Sequence, residues 1–343
     1  MSGLRGRHSF TLGIAATAAL LLFPAATAVQ AADVGTVAVA AAKAAPTTAV
    51  EHTVPTGSGA GARIARYWTP ERMAAAIPVE PVGRASAPDG AARAPQAPTG
   101  PATTGADPVA GTAADTDGVK LAVTATRVVG KVFFTGSDGV NRVCSGSAVN
   151  STNKNMVLTA GHCVHGGPGK SWATNWQFVP YYDHGSRPYG SWQAETLVAF
   201  NGWTNSGDFG YDLGIVITSP TSRGELVNAV GGLGIQWNQS KSRSVVTMGY
   251  PQDPPFDGQW QYYCTGTTAQ RSGSVTNQIK LPCTLTGGSS GGPWIYGKDD
   301  ATYYSGWVNG VNSNVNDAKK PTEMRSPYFA TWVGDAFTKY SSY

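Results

Sequence analysis

Charge, cysteine and histidine are all scarce in this chain. Charged residues fill 13% of its 343 positions, about half the ~25% of an ordinary soluble protein. The net charge is only +4 and scattered, which argues against a nucleic-acid-binding surface. The four cysteines, Cys144, Cys163, Cys264 and Cys283, permit three pairings, and the sequence alone does not choose among them. The five histidines are His8, His52, His162, His165 and His184, so none lies beyond residue 184. Long apolar runs are missing as well. Only residues 10–23 form an apolar stretch, and it is too short to span a bilayer comfortably.

Glycine (43) and proline (22) are plentiful, a turn-rich composition that favours short strands over long helices. The densest such run is Thr286-Gly287-Gly288-Ser289-Ser290-Gly291-Gly292-Pro293. Glycine's backbone entropy rules out a helix or packed strand there. The run suits a tight loop whose amides approach something closely, with a serine as candidate nucleophile. A flexible linker is the plain alternative. The run also fits the G-x-S-x-G elbow of α/β-hydrolases, whose histidine follows the serine. With no histidine after Ser290, that arrangement is excluded, and a base has to come from upstream.

Two upstream stretches supply partners. Residues 157–163, Val-Leu-Thr-Ala-Gly-His-Cys, read as an apolar strand entering a small-residue turn that presents His162. Residues 211–217, Tyr-Asp-Leu-Gly-Ile-Val-Ile, read as Asp212 entering a buried strand. Asp208 sits among glycines and reads as a turn residue; His165 and His184 read as structural or exposed.

At these three motifs, in this order, residues 128–340 resemble the chymotrypsin/trypsin-like serine peptidases. The secreted bacterial branch (V8-like or glutamyl-endopeptidase-like) matches best, because Ser289 replaces the usual Asp before the nucleophile. The resemblance implies an all-β fold of two six-stranded antiparallel β-barrels with a C-terminal helix. It implies a catalytic set of His162, Asp212 and Ser290, an oxyanion hole from the amides of Gly288 and Ser290, and no cofactor or metal. It also implies disulfides Cys144–Cys163 and Cys264–Cys283; an oxidising compartment favours these over metal binding by the His162, Cys163 and His165 side chains. For the substrate pocket it points to Thr284, six residues before the nucleophile, and to Asn312. Thr284 is no match for Lys or Arg, so tryptic cleavage is not expected. The glutamyl branch carries His near Asn312, so a preference for acidic residues is not implied either.

The remaining chain organises around that domain. Basic residues Arg5 and Arg7, the apolar run and Ala-rich cleavage sites near residues 26–31 mark residues 1–31 as a secretory signal peptide. Residues 32–127 read as a pro-segment and disordered linker, because residues 36–50 and 84–118 lack the large apolar side chains needed to offset ordering entropy. One island, residues 65–76, contains Tyr67, Trp68 and Met73. Thr69 can cap a short helix there, with Pro70 first and Glu71 in the first turn, and we read it as docking on the folded domain. That domain, residues 128–343, is expected as two barrels at about 128–225 and 226–343, with Arg127 offering a processing site. Short strands are expected throughout it, and a helix near the end, with Thr331 as its cap, is expected from the spacing of Phe329, Trp332, Val333, Ala336, Phe337 and Tyr340. The expected partners are protein or peptide substrates and the chain's own pro-segment, with no nucleic acid and no membrane after signal removal, for a secreted extracellular monomer. Two other classes remain open at this point: a non-catalytic binding module on the same fold, and an esterase using the same three residues.

Overall fold

A computed structural model describes residues 48–55, 59–79, 98, 100–112, 125–271, 277–299 and 301–343. The signal peptide expected at residues 1–31 lies outside the described residues. Among the described residues, no helix is long and apolar enough to cross a membrane.

The first half of the peptidase region is a closed antiparallel barrel. Its strands are Val129–Thr135, Asn141–Val149, Met156–Thr159, Thr174–Pro180, Trp192–Phe200 and Gly214–Thr218. Pairing runs around the ring and returns where Trp192–Phe200 meets Gly214–Thr218. Closure removes the unpaired edges that an open sheet would expose. Val132, Val143, Leu158, Phe178, Leu197 and Val216 are buried in it. The second half forms two sheets. A six-stranded one orders Tyr262–Thr267, Ser244–Gly249, Pro293–Tyr296, Trp307–Val311, Gly234–Trp237 and Thr103–Ala106. A four-stranded one orders Ala269–Gln270, Gln278–Pro282, Glu323–Pro327 and Asn314–Val315. The C-terminal helix, Thr331–Tyr340, buries Val333, Ala336, Phe337 and Tyr340. This is the mostly-β, chymotrypsin-like architecture that the sequence implies, and both disulfides form as expected, Cys144–Cys163 and Cys264–Cys283. Each closes a loop of similar length and adds about 3 kcal/mol in the chain-entropy picture.

Before residue 128, the described residues 48–55 and 100–112 depart from the expectation of a disordered linker, while residues 32–47, 80–97 and 113–124 of that expectation lie outside the described residues. Thr103–Ala106 adds an edge strand beside Gly234–Trp237, and Ala49–Thr53 adds one beside Trp192–Phe200. Neither carries a strong apolar pattern; both pair their backbone with an edge already built, and the Glu51 carboxylate also accepts from the Tyr340 and Tyr343 hydroxyls. The island behaves as read: Pro70–Ala75 is helical, with Thr69 Oγ1 accepting from the Arg72 amide at 3.3 Å. Trp68 and Met73 are buried, and Trp68 packs against Phe133 of the barrel at 5.5 Å between ring centroids. Arg127 is not displayed as a processing site. It is 2% exposed. Its Nε donates to Val230 O at 3.3 Å, and its guanidinium sits 3.5 Å from the Tyr303 ring centroid and bonds that hydroxyl. The helix cap also differs. Thr331 is the first helical residue, after Ala330, and its Oγ1 accepts from Asn238 Nδ2 at 2.9 Å.

Lys131 joins the two halves. It is 1% exposed on the strand Val129–Thr135, and its Nζ donates to Gln252 Oε1 at 2.9 Å and Gly258 O at 2.8 Å. Burial pushes its pKa down to about 7, opposed by the charge of Asp257. Unfolded, the same amine titrates near 10.4. Between those values the unfolded chain binds the extra proton, so stability rises with pH there. We therefore expect urea unfolding midpoints of the wild type to climb from pH 7 to pH 10, and Lys131→Met to flatten that climb. An equal slope in the two proteins would contradict the placement.

Candidate active site

The barrel register brings His162 and Asp212 to one end of two neighbouring strands. Met156–Thr159 pairs antiparallel with Gly214–Thr218, and Thr159 lies opposite Gly214. His162 follows the first strand by three residues, in a short 3-10 turn, and Asp212 precedes the second by two. Gly161 makes the approach possible, since a Cβ there would lie 3.0 Å from Asp212 Oδ1. Asp212 is fully buried. Its Oδ1 accepts from the His162 amide at 2.8 Å, and its Oδ2 lies 2.8 Å from His162 Nδ1. Ser313 Oγ donates to that same Oδ2 at 2.6 Å. A buried carboxylate facing Nδ1 favours the tautomer with the proton on that nitrogen. That leaves Nε2 to accept, and Nε2 is buried with no hydrogen-bond partner among the described residues.

The glycine-rich loop abuts this pair. Thr159 Oγ1 donates to Ser145 O at 2.8 Å, the Ser145 amide donates to Ser290 O at 2.7 Å, and Ser145 Oγ donates to Gly288 O at 2.9 Å. Ser290 O also lies 3.8 Å from Cys163 Sγ, beside His162 in the chain. The structure therefore brings His162 and Asp212 into direct contact and seats Ser290 against the same turn; among the described residues no hydrogen bond joins Ser290 to His162. The amides of Ser289, Gly291 and Gly292 are spent on Thr286 O, Asn312 O and Ser289 O. No such internal backbone acceptor takes the Gly288 or Ser290 amide among the described residues. Gly288 has φ +94°, and a Cβ there would meet Tyr250 O at 2.6 Å, so only glycine holds that conformation cheaply.

Two cavities flank the pair. One, of about 370 Å³, opens beside Ser290 and is lined by Gly287, Ser289, Ser313, Val315, Lys319 and Met324, among others. The other, of about 610 Å³, includes His162, His165, Arg142, Lys170, Pro78 and Asp253. The pocket residues expected from the sequence do not line the cavity beside Ser290. Thr284 is exposed. Asn312 is fully buried, and its side chain is consumed: Oδ1 accepts from Thr247 Oγ1 (2.7 Å) and Trp294 Nε1 (2.8 Å), and Nδ2 donates to Ser289 O (3.0 Å) and Met248 O (3.3 Å). Asn312 is thus a clamp beneath the loop, and its neighbour Ser313 faces the site. The sequence points to Asn312 and so misses Ser313 by one position.

The other candidates fall as read. Asp208 Oδ1 accepts from the Gly210 amide at 2.8 Å in a turn. His165 Nδ1 accepts from the Gly167 amide at 3.1 Å, and burial lowers its pKa. His184 is exposed beside Asp183. Cys144, His162 and Cys163 are the one group among the described residues close enough to suggest a metal. They do not fit one: the two sulfurs are bonded to each other and His162 Nδ1 is held by Asp212.

Comparison with known proteins agrees with the fold. Residues 144–300 match the model of the trypsin-like peptidase domain. The crystal structure of protease Anisep from Arthrobacter nicotinovorans is 37% identical, with TM-score 0.60, over 64% of this chain and 98% of that one. A thermostable serine protease, AL20, from an extremophilic microorganism is 36% identical, with TM-score 0.58, over 63% of this chain and 98% of that one. A glutamyl endopeptidase of Bacillus licheniformis is 31% identical over 190 residues, 52% of this chain and 57% of that protein. A Bacillus subtilis protein named extracellular metalloprotease is 31% identical over 171 residues, 43% of this chain and 52% of that protein. The chain thus spans little more than half the length of these two curated relatives. It belongs to the trypsin-like serine peptidases.

The clamp gives a stability prediction. Asn312→Leu strands the buried Thr247 hydroxyl and Trp294 indole N–H, each at about 1–3 kcal/mol. Together that is about 2–6 kcal/mol, so at 2–4 °C per kcal/mol a thermal melt should fall by roughly 4–24 °C. An unchanged melting temperature would remove Asn312 from that role.

Proposed function

We propose that this chain is a secreted serine endopeptidase made as a precursor, of the V8-like or glutamyl-endopeptidase-like branch. It has a signal peptide at 1–31, a pro-segment at 32–127 and a peptidase domain at 128–343. The observation that carries the reading is the buried Asp212–His162 pair with Nε2 unspent, beside the loop holding Ser290.

In this reading Ser290 Oγ attacks the carbonyl carbon of the scissile bond while His162 Nε2 takes the hydroxyl proton. The charge that develops on the carbonyl oxygen is met by the Gly288 and Ser290 amides; losing one such donor typically costs about 100- to 1000-fold. Collapse expels the amine, which receives the proton from Nε2, and leaves an acyl group on Ser290. Water, deprotonated by the same nitrogen, then releases the acid. Asp212 stays ionised throughout, holding the ring and stabilising the imidazolium.

The substrates are proteins or peptides. Ser289 favours the bacterial branch: its Oγ is buried and donates to Thr286 O at 2.7 Å, so no carboxylate stands before Ser290 to receive a newly formed N-terminal amine. Secretion is supported by the two disulfides, which persist in oxidising compartments.

Ser290→Ala should lower casein hydrolysis at least ~10⁴-fold while leaving the melting temperature within about 1 °C. Casein hydrolysis persisting in that variant would refute the assignment. Activity on small acyl esters without activity on casein would turn the reading to an esterase.

A further inference from the structure

The cavity on the His162 side is walled by the chain's own N-terminal segment. The strand Asn141–Val149 pairs with Val129–Thr135 along one side, and on its other side with Met156–Thr159 only at residues 147–149. The earlier part of that second edge therefore faces the cleft. Two things lie along it. Ser145 holds Ser290 and Gly288 through their carbonyls, and Ile77–Pro78 lies beside Arg142 and Val143. Ile77–Pro78 is pinned there. Gln252 Nε2 donates to Ala76 O at 2.8 Å, and Arg142 Nη1 donates to Pro78 O at 3.3 Å. A Cβ built on Gly287 would come within 3.2 Å of Pro78 Cβ. Buried Trp68, Met73 and Ala76 anchor the chain just before it, with Trp68 Nε1 donating to Asn175 O at 2.5 Å.

Direction decides what this contact does. The step rests on the roles given above to His162 and Ser290. The leaving amine takes its proton from His162, so the polypeptide beyond the scissile bond departs through the His162-side cavity. Along the open edge it runs away from Ser290. The strand Asn141–Val149 runs toward Ser290, so a substrate that adds to this edge is antiparallel to it. Ile77–Pro78 pairs with it in parallel.

We propose that residues 76–79 form a reversed strap, which occupies the leaving-group side of the cleft and blocks polypeptide substrates while escaping cleavage itself. Lying backwards, the strap exchanges the positions of peptide nitrogen and carbonyl relative to Nε2 and the Gly288 and Ser290 amides. No leaving nitrogen is then placed to receive the proton. The cavity beside Ser290 has none of residues 76–79 in its lining, so small acylating or phosphonylating reagents still reach the hydroxyl.

The test uses the intact secreted precursor and its Ile77→Asp, Val79→Asp double variant. Fluorophosphonate labelling of Ser290, casein turnover per labelled molecule and new N-termini by mass spectrometry are followed over time. We expect equal labelling rates, casein turnover at least tenfold higher in the variant, and no concentration-independent cut within residues 76–79 of the wild type. Equal casein turnover in the two proteins, or a first-order cut inside the strap, overturns the proposal. Absence of labelling in both overturns the reading of Ser290, and the strap with it. Should only the aspartate variant lose labelling, the Ile77→Ala, Val79→Ala precursor is judged by the same criteria.

Discussion

A carboxylate removed from water has to have its charge met by the protein, and Asp212 is removed completely. Its oxygens receive the His162 amide, the His162 ring and the Ser313 hydroxyl. Burying an unpaired charge costs several kcal/mol or more, so these donors are conditions for the fold as well as for the site. They come from both halves of the molecule. His162 and Asp212 sit at the ends of paired barrel strands, and Ser313 follows the strand Trp307–Val311 of the second half. The carboxylate therefore ties the two halves at the place where chemistry is needed, and fixes the ring orientation that leaves Nε2 unspent.

The loop holding Ser290 is fixed by a parallel logic. Asn312 has its donors and acceptor committed beneath it, and Ser145 holds two of its carbonyls from the barrel side. A glycine-rich loop has high entropy when free. Here it is held from both sides, so in the proposed mechanism the Gly288 and Ser290 amides would need little reorganisation to meet a developing charge. Lys131 adds a third tie between the halves through Gln252, whose other side-chain end holds the strap at Ala76. One side chain thus connects the barrel core, the second half and the N-terminal segment.

The site was largely legible in the sequence because its geometry is written in short local turns. A strand ending in Thr159, a glycine that admits Asp212 and a histidine one position later specify one arrangement, and the 286–293 loop has little conformational alternative. Pocket-lining residues were less legible. Asn312 and Ser313 are adjacent, and whether the side chain facing the cleft is one or the other depends on strand phase, which a one-residue shift reverses. The segment before residue 128 was least legible. Thr103–Ala106 and Ala49–Thr53 draw their order from edges supplied by distant strands, and nothing in their own residues announces it. Thr331 was misread for a related reason: a threonine at the start of a helix can cap it or begin it, and Asn238, far away in sequence, engages it here.

The central proposal is spatial: during catalysis Asp212, His162 and Ser290 act as one relay, with the Gly288 and Ser290 amides opposite. A crystal structure of the fluorophosphonate-treated protein tests it most directly. The account predicts phosphorus bonded to Ser290 Oγ, with Nε2 of His162 within hydrogen-bond reach of that oxygen. It also predicts the phosphoryl oxygen between the two amides. An adduct on another residue, or an imidazole turned away from Ser290 with its Asp212 contact broken, would contradict it.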